Sequence, residues 1–403
     1  MNRLGIATLL AAGALFAAAC GATSEDEAVG IEPAATIIEN TTTTTAGLEG
    51  IPDGPSALTD RNADAFPNPQ VPVDEIISGG PPPDGIPPID TPVFADVADS
   101  IGQLDPAEAV VALEVNGDAR AYPVRVLIWH EIVNDTVGGS PVSVTYCPLC
   151  NSAVSYHRVV RGVETTFGTS GSLYASALVM YDRLTESLWT HFDGQAIVGV
   201  LAGDQLEPIA SPLLSWEEFV EAYPAGKVLD WTETGFERDY GRNPYEGYDD
   251  PDTDPFLFRG IVDNRERAKQ RVVGISIDEA SVAYSMELVA RGERSVTPGT
   301  VGDRDLVILW QAGQSSALDD SRISGGDNVG SVGVFIPVID GAQLTLTAGG
   351  DTFMDEETGS TWNIAGIAIG GPLEGSRLDR VEHLDTFWFA WSTYRPGTTL
   401  VDG

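Results

Sequence analysis

Apolar and polar residues alternate through most of this chain with the period of two expected of half-buried strands. Alternating apolar positions flank Asn116-Gly117, a dipeptide suited to positive φ at both central turn positions, and predict a hairpin there. Gly138-Gly139 precedes a predicted strand at 142–146, and Arg161-Gly162 predicts a further hairpin between residues 153–156 and 165–167. Helical periodicity is rarer. Residues 215–222 carry Ser215 as a candidate N-cap with Glu217 and Glu218 in the first turn, residues 385–394 read the same way, and 123–132 predict a third, short helix. The expected fold class is α+β, β-predominant.

The same pattern returns about 160 residues later. Residues 110–122 align without a gap on 272–284, and Asp182, Thr185, Ser187 and Trp189 recur at the same spacing as Asp355, Thr358, Ser360 and Trp362. Each stretch closes on an aromatic amphipathic segment and a proline: Trp216, Phe219, Tyr223 and Pro224 against Trp388, Trp391, Tyr394 and Pro396. The chain therefore reads as two tandem pseudo-equivalent repeats, 75–234 and 270–403, packed as one large globular unit and joined by an aromatic connector, 235–269. The shared Asp-Thr-Ser-Trp spacing suits a structural turn in which Asp and Thr bond the backbone and Trp enters the core.

The N-terminus departs from this pattern. Arg3 precedes an apolar run that is too short to span a bilayer and ends in small residues before Cys20. Residues 1–20 read as a lipoprotein-type signal peptide, with Cys20 as the lipid anchor and the protein exported and held on the extracytoplasmic side of the cell membrane. The alternative is a Cys20 lost with an ordinary signal peptide. Residues 21–73, rich in Thr, Pro and acidic side chains and without period, predict a disordered tether. Sixty acidic against 22 basic residues give a formal net charge of -38, and only Lys227 and Lys269 among the bases are lysines. Such a chain repels nucleic acid, so the expected partners are the membrane, through the lipid, and a redox or metal-delivery protein.

Candidate chemistry rests on Cys147-Pro148-Leu149-Cys150. Aligning Tyr146 with Trp310 sets Ser152-Ala153 on Ser316-Ala317, Cys147 on Gln311 and Cys150 on Gln314, so the second repeat is expected to keep this strand-loop-strand without thiols. His130 likewise has no counterpart there. A structural disulfide across so short a loop would contribute only about 2 kcal/mol by chain entropy. Thiol/disulfide redox chemistry would use Cys147 as nucleophile and Cys150 as resolving thiol, with His130 or Glu131 handling the proton. A copper or zinc site would draw on Cys147, Cys150, His130, His383 and the thioether of Met180. His157 is set aside, and His191 is a weak candidate. A non-enzymatic surface module that binds a ligand and keeps a structural disulfide is the remaining alternative.

Several segments carry a family resemblance, among them Ala119-Arg120-Ala121-Tyr122-Pro123, Trp129-His130-Glu131-Ile132-Val133-Asn134-Asp135, Tyr146-Cys147-Pro148-Leu149-Cys150, Phe167-Gly168-Thr169-Ser170-Gly171 and Met180-Tyr181-Asp182-Arg183. From about residue 75 to the C-terminus the chain resembles the bacterial and archaeal family catalogued as domain of unknown function 3179. The resemblance implies that some relatives are selenoproteins with selenocysteine in the motif matching Cys147 and Cys150. Selenium is seldom used as a staple, so the resemblance places redox chemistry first and metal binding second.

Overall fold

The computed structural model describes residues 50–62 and 64–403. The expected signal peptide, Cys20 and the first part of the expected tether lie outside those residues. Strands dominate, at 40 % against 11 % helix, in several sheets none of which closes, which is the β-predominant balance that the alternation predicts. Among the described residues no helix is long and apolar enough to cross a membrane.

The first hairpin joins Ala109–Val115 to Asp118–Pro123 through Asn116 and Gly117, whose φ values of 51° and 81° put both in the left-handed region. Flanking strands Leu213–Ser215, Lys227–Leu229 and Phe94–Asp96 complete its sheet. Pro123 leads into helix α1, Val124–His130, which ends at Glu131. Ile132–Val137, β1 (Ser140–Cys147) and β2 (Ser152–His157) then form an antiparallel meander edged by Pro208–Ile209. In a third sheet β3 (Phe167–Tyr174), β4 (Ala177–Asp182) and β5 (Leu188–Thr190) pair in sequence order, with Ile77–Ser78 and Ala196–Val198 at its edges. Helix α2, Trp216–Ala222, begins with a complete capping box: Glu218 N–H donates to the Ser215 hydroxyl and Ser215 N–H to the Glu218 carboxylate.

Residues 271–401 run through a similar succession. Arg294–Val301, β6 (Arg304–Gln311) and β7 (Ser331–Ile336) form a meander edged by Asp379–Arg380, and Leu346–Gly349, Thr352–Asp355, Thr361–Trp362 and Ala368–Gly370 form a second sheet. Arg271–Ile277 and Ala280–Ser285 pair as a hairpin between β8 (Leu384–Phe387) and Thr399–Val401, and α3, Trp388–Tyr394, follows β8. In each run the strand that leads into the final helix, Leu213–Ser215 or β8, reaches the other run's meander. Ser215 N–H donates to Ser331 Oγ at 3.2 Å, and the Cys150 carbonyl accepts from Phe387 N–H at 3.1 Å and from Thr386 Oγ1 at 2.7 Å. One apolar core accordingly joins Tyr146, Cys147, Cys150 and Trp189 to Phe387, Trp388 and Trp391.

Two expectations need correction. Residues 50–73 are not a free tether: Ala57 and Phe66 are buried with Val179, Tyr181 and Ile197, and Gln70 N–H donates to Ile197 O at 2.8 Å. The segment lacks a period because isolated apolar residues between prolines dock singly on a sheet that is already formed. The match of Ser152 to Ser316 also fails. In register Cys147 faces Ser152 while Gln311 faces Ser331, so a four-residue turn in one meander answers to a loop of residues 312–330 in the other.

The Asp-Thr-Ser-Trp spacing is the structural turn expected. Asp182 accepts from Thr185 N–H at 2.6 Å, Ser187 N–H at 3.1 Å and Trp189 Nε1 at 2.9 Å; Asp355 accepts from Thr358 N–H at 2.6 Å and Trp362 Nε1 at 3.0 Å. Asp182→Ala strands three donors in a buried turn, and each orphan costs about 1–3 kcal/mol. Urea melts of Asp182→Ala should show a loss of about 3 kcal/mol or more, with Asp355→Ala a comparable loss. A change within about 0.5 kcal/mol would place these turns outside the stabilising framework.

Candidate functional site

Cys147 is the last residue of β1, and Pro148-Leu149-Cys150-Asn151 turn the chain back into β2 with Asn151 at φ 49°. The Tyr146 hydroxyl donates to Asn151 Oδ1 at 3.1 Å and fixes the far side of the turn. Cys150 Sγ lies 2.9 Å from Ser152 Oγ. Both cysteines are free thiols and both are buried, at 1 % and 0 % exposure.

The third member of the cluster comes from the neighbouring sheet. His191 follows β5 directly, and its N–H donates to Leu178 O on β4 at 3.0 Å; the Leu178 amide in turn points at the Cys147 sulfur. One β4 residue thus brings the end of β5 against the end of β1. The sulfurs of Cys147 and Cys150 and a ring nitrogen of His191 all lie within 4.8 Å of one another. The Tyr156 hydroxyl holds the His191 carbonyl at 2.9 Å, yet both ring nitrogens of His191, a residue at 0 % exposure, have no hydrogen-bond partner.

Electrostatics separate the two thiols. Burial works against ionisation of Cys147, but the Cys150 S–H and the amides of Leu178, Cys150 and Leu149 all point at its sulfur and together draw its pKa below the ordinary thiol value. Cys150 is pushed well up, by burial first and then by Cys147. Glu131, whose carbonyl accepts from Tyr146 N–H at 2.9 Å, has its carboxyl pKa pushed well above the usual range by burial first and then by Cys147. Met180 is buried opposite Trp189 on β4, and the register puts it on the same sheet face as His191.

The other expected ligands stand elsewhere. Residues His130 and His383 are not part of the cluster among the described residues. His130 Nδ1 lies 2.6 Å from Pro87 O and Nε2 2.6 Å from Tyr240 Oη, so its ring ties the Asp84-Gly85-Ile86-Pro87 segment to the connector. Next to Val332 and Val381, His383 has ring nitrogens 3.3 Å and 3.0 Å from their carbonyl oxygens. Each is a hydrogen-bonded structural imidazole, which corrects the expectation that either serves the cysteines. A signal for His191 was present in the sequence. Extending the Asp182 to Trp189 match by two residues sets His191 against Ile364, the same one-sided occurrence that marks the cysteines.

The chain belongs to the family described as protein of unknown function (DUF3179), whose model matches residues 83–398. No curated protein and no solved structure matches it.

Burial lowers the His191 pKa from 6.5 to about 3. In the unfolded chain the ring protonates at its ordinary value, so below pH about 6.5 the unfolded state binds a proton that the folded state refuses. Stability of the metal-free protein should therefore fall as pH drops from about 6.5 toward 3, by about 1.4 kcal/mol per unit from this group. Burial also lowers the pKa of His130 and of His383, so the comparison with His191→Leu isolates one proton. Urea melts across this range whose slope is the same with and without His191 would contradict its buried, neutral state.

Proposed function

We propose that this DUF3179 protein holds one thiophilic metal ion, copper or zinc, on Cys147, Cys150 and His191. The observation that carries the reading is the fully buried imidazole with two unpartnered nitrogens beside two thiols. A buried polar group without a partner costs about 1–3 kcal/mol, and a ligated ion removes that cost for one of the two nitrogens. Tetrahedral bonds of about 2.3 Å to sulfur put two sulfurs roughly 3.8 Å apart, so the three ligand atoms need only a small contraction around an ion. Two thiolates and a neutral imidazole cancel a divalent charge, which suits a site from which water is excluded. Three protein ligands leave a position open for a reactant, for a ligand in transit or for Met180; a thioether there would favour copper over zinc.

Thiol/disulfide exchange is the second reading, supported by the opposed pKa directions of the two thiols. In it the Cys147 thiolate attacks a substrate disulfide and releases one substrate thiolate. Cys150 then displaces the second, leaving a Cys147-Cys150 disulfide and two electrons on the substrate. Exposure of 1 % and 0 % weighs against it, because a disulfide partner must reach sulfur in line.

Two further proposals rest on sequence. Cys20 and the apolar run before it support export and a lipid anchor on the extracytoplasmic face. The matching strand orders of the two runs, with the aligned motifs, support a tandem duplication in which only the first copy carries the metal ligands.

Reduced protein should bind one equivalent of Cu(I) or Zn(II), and His191→Ala should weaken binding by more than about 100-fold, beyond the cost of losing a neighbour that merely orients a ligand. Cys147→Ser should weaken it comparably, while His130→Ala and His383→Ala should leave it close to wild type. Substoichiometric binding of both metals by wild-type protein ends the metal reading; a Cys147-Cys150 potential far below about -300 mV ends the exchange reading.

A further inference from the structure

Cys147, Cys150 and His191 are all buried, and part of their cover is the connector. Tyr248 Oη donates to the carbonyl of Leu149, within the Cys147–Cys150 turn itself, at 3.0 Å. Phe256 N–H donates to the same hydroxyl at 3.1 Å. Lys269, 1 % exposed, places its ammonium 4.4 Å from the centre of the Tyr248 ring and donates to Tyr248 O and Thr253 Oγ1. The connector is held from the other side by the second run's long loop. Asn243 N–H donates to Ser321 O at 2.9 Å, Gly247 N–H to Asp319 O at 2.7 Å and Tyr248 N–H to Leu318 O at 3.0 Å.

This strap has the marks of a part that moves. It has no helix or strand between Thr234 and Arg271, and its apolar hold on the core is through the rings of Tyr245, Tyr248 and Phe258. Gly241 and Gly247, at φ 102° and 72°, flank Tyr245, and Leu257 holds φ 53°, a conformation strained for a bulky residue. A cavity of about 430 Å³, lined in part by Gly247, Asp250 and Pro251, gives the strap room on its outer side.

We infer that residues 241–258 form a latched strap that gates access to the Cys147/Cys150/His191 cluster, with Tyr248 and Lys269 as the latch. For metal delivery the inference rests on the metal reading; for access to the thiols it stands alone. Closed, the strap excludes solvent and oxidants from two thiols; open, it admits an ion.

The test uses the full chain, with 4,4′-dithiodipyridine as an uncharged thiol probe and Zn(II) as the metal probe. Each thiolate that attacks the probe disulfide expels one thiopyridone, so the absorbance counts exposed sulfur. Tyr248→Phe removes one hydroxyl that both donates and accepts, and should raise the rate of thiol attack and of zinc loading about fivefold without changing either endpoint. Lys269→Met should act in the same direction. Asp355→Ala destabilises the protein away from the strap and serves as the control. If it accelerates attack as much as the latch variants, exposure proceeds by global unfolding and the strap is no gate. Rates unchanged in both latch variants overturn the inference as well. Faster thiol attack with no zinc bound at equilibrium would uphold the strap and sink the metal reading; stoichiometric zinc with unchanged thiol kinetics would do the reverse.

Discussion

A buried imidazole with neither nitrogen hydrogen-bonded is the constraint around which this structure is arranged. Proteins satisfy nearly all buried polar groups, because an orphan in a medium that cannot replace water forfeits the hydrogen bonds it had in the unfolded chain. The Tyr156 hydroxyl is committed to the histidine's own carbonyl, and the sulfurs of Cys147 and Cys150 stand within 4.8 Å of a ring nitrogen. Two thiols and a neutral imidazole in an apolar core are weak partners for one another and strong ones for a soft cation. The same burial that leaves the ring without partners lowers its pKa and disfavours its protonated form.

Keeping that arrangement dry takes both runs of the chain. The turn contributes the thiols, β4 and β5 deliver the histidine through Leu178, and the carbonyl of Cys150 is closed off by Thr386 and Phe387 from the far end of the sequence. Leu178 has a double use: its carbonyl accepts from His191 N–H and its own N–H turns toward Cys147, so strand pairing and support of the Cys147 sulfur come from one residue.

Much of the fold was legible in the sequence because its causes are local. Asn116-Gly117 can hardly do anything but turn a hairpin, Ser215 and Glu218 spell out a capping box, and Asp182 and Trp189 define a turn whose hydrogen bonds close within eight residues. The site was legible only by half. The four-residue spacing of the thiols is a local fact, whereas the identity of their partner is set by which strands lie side by side, a relation spanning 41 residues from Cys150 to His191. His130 drew attention because it lies close in sequence, but α1 ends between it and β1, and Glu131 at φ 58° redirects the chain so that the histidine ring faces Pro87 and Tyr240. Loop length misled the alignment for a related reason. Ser316-Ala317 copies Ser152-Ala153 in letters, but it sits in a loop free to be any length, while the ladder places Ser331 where Ser152 should be matched.

That corrected match shows what the fold does when no chemistry is asked of it. Ser331 donates to Glu218 at 2.5 Å and lies 3.3 Å from Gln314, and Gln311, the residue in the place of Cys147, donates to Glu218 at 2.9 Å. The carboxylate is buried, so its pKa is raised, yet each of its oxygens has a partner, one of which, the Ser215 N–H, comes from the capping box of its own helix. The end of the second meander is therefore a closed polar network, complete without any external ligand. At the end of the first, the matching positions hold two thiols, one serine and, across the sheet, an imidazole whose nitrogens meet nothing. The two ends differ in that the first leaves an imidazole without partners, and the strap, bonded to the long loop of the second run, reaches the short turn of the first.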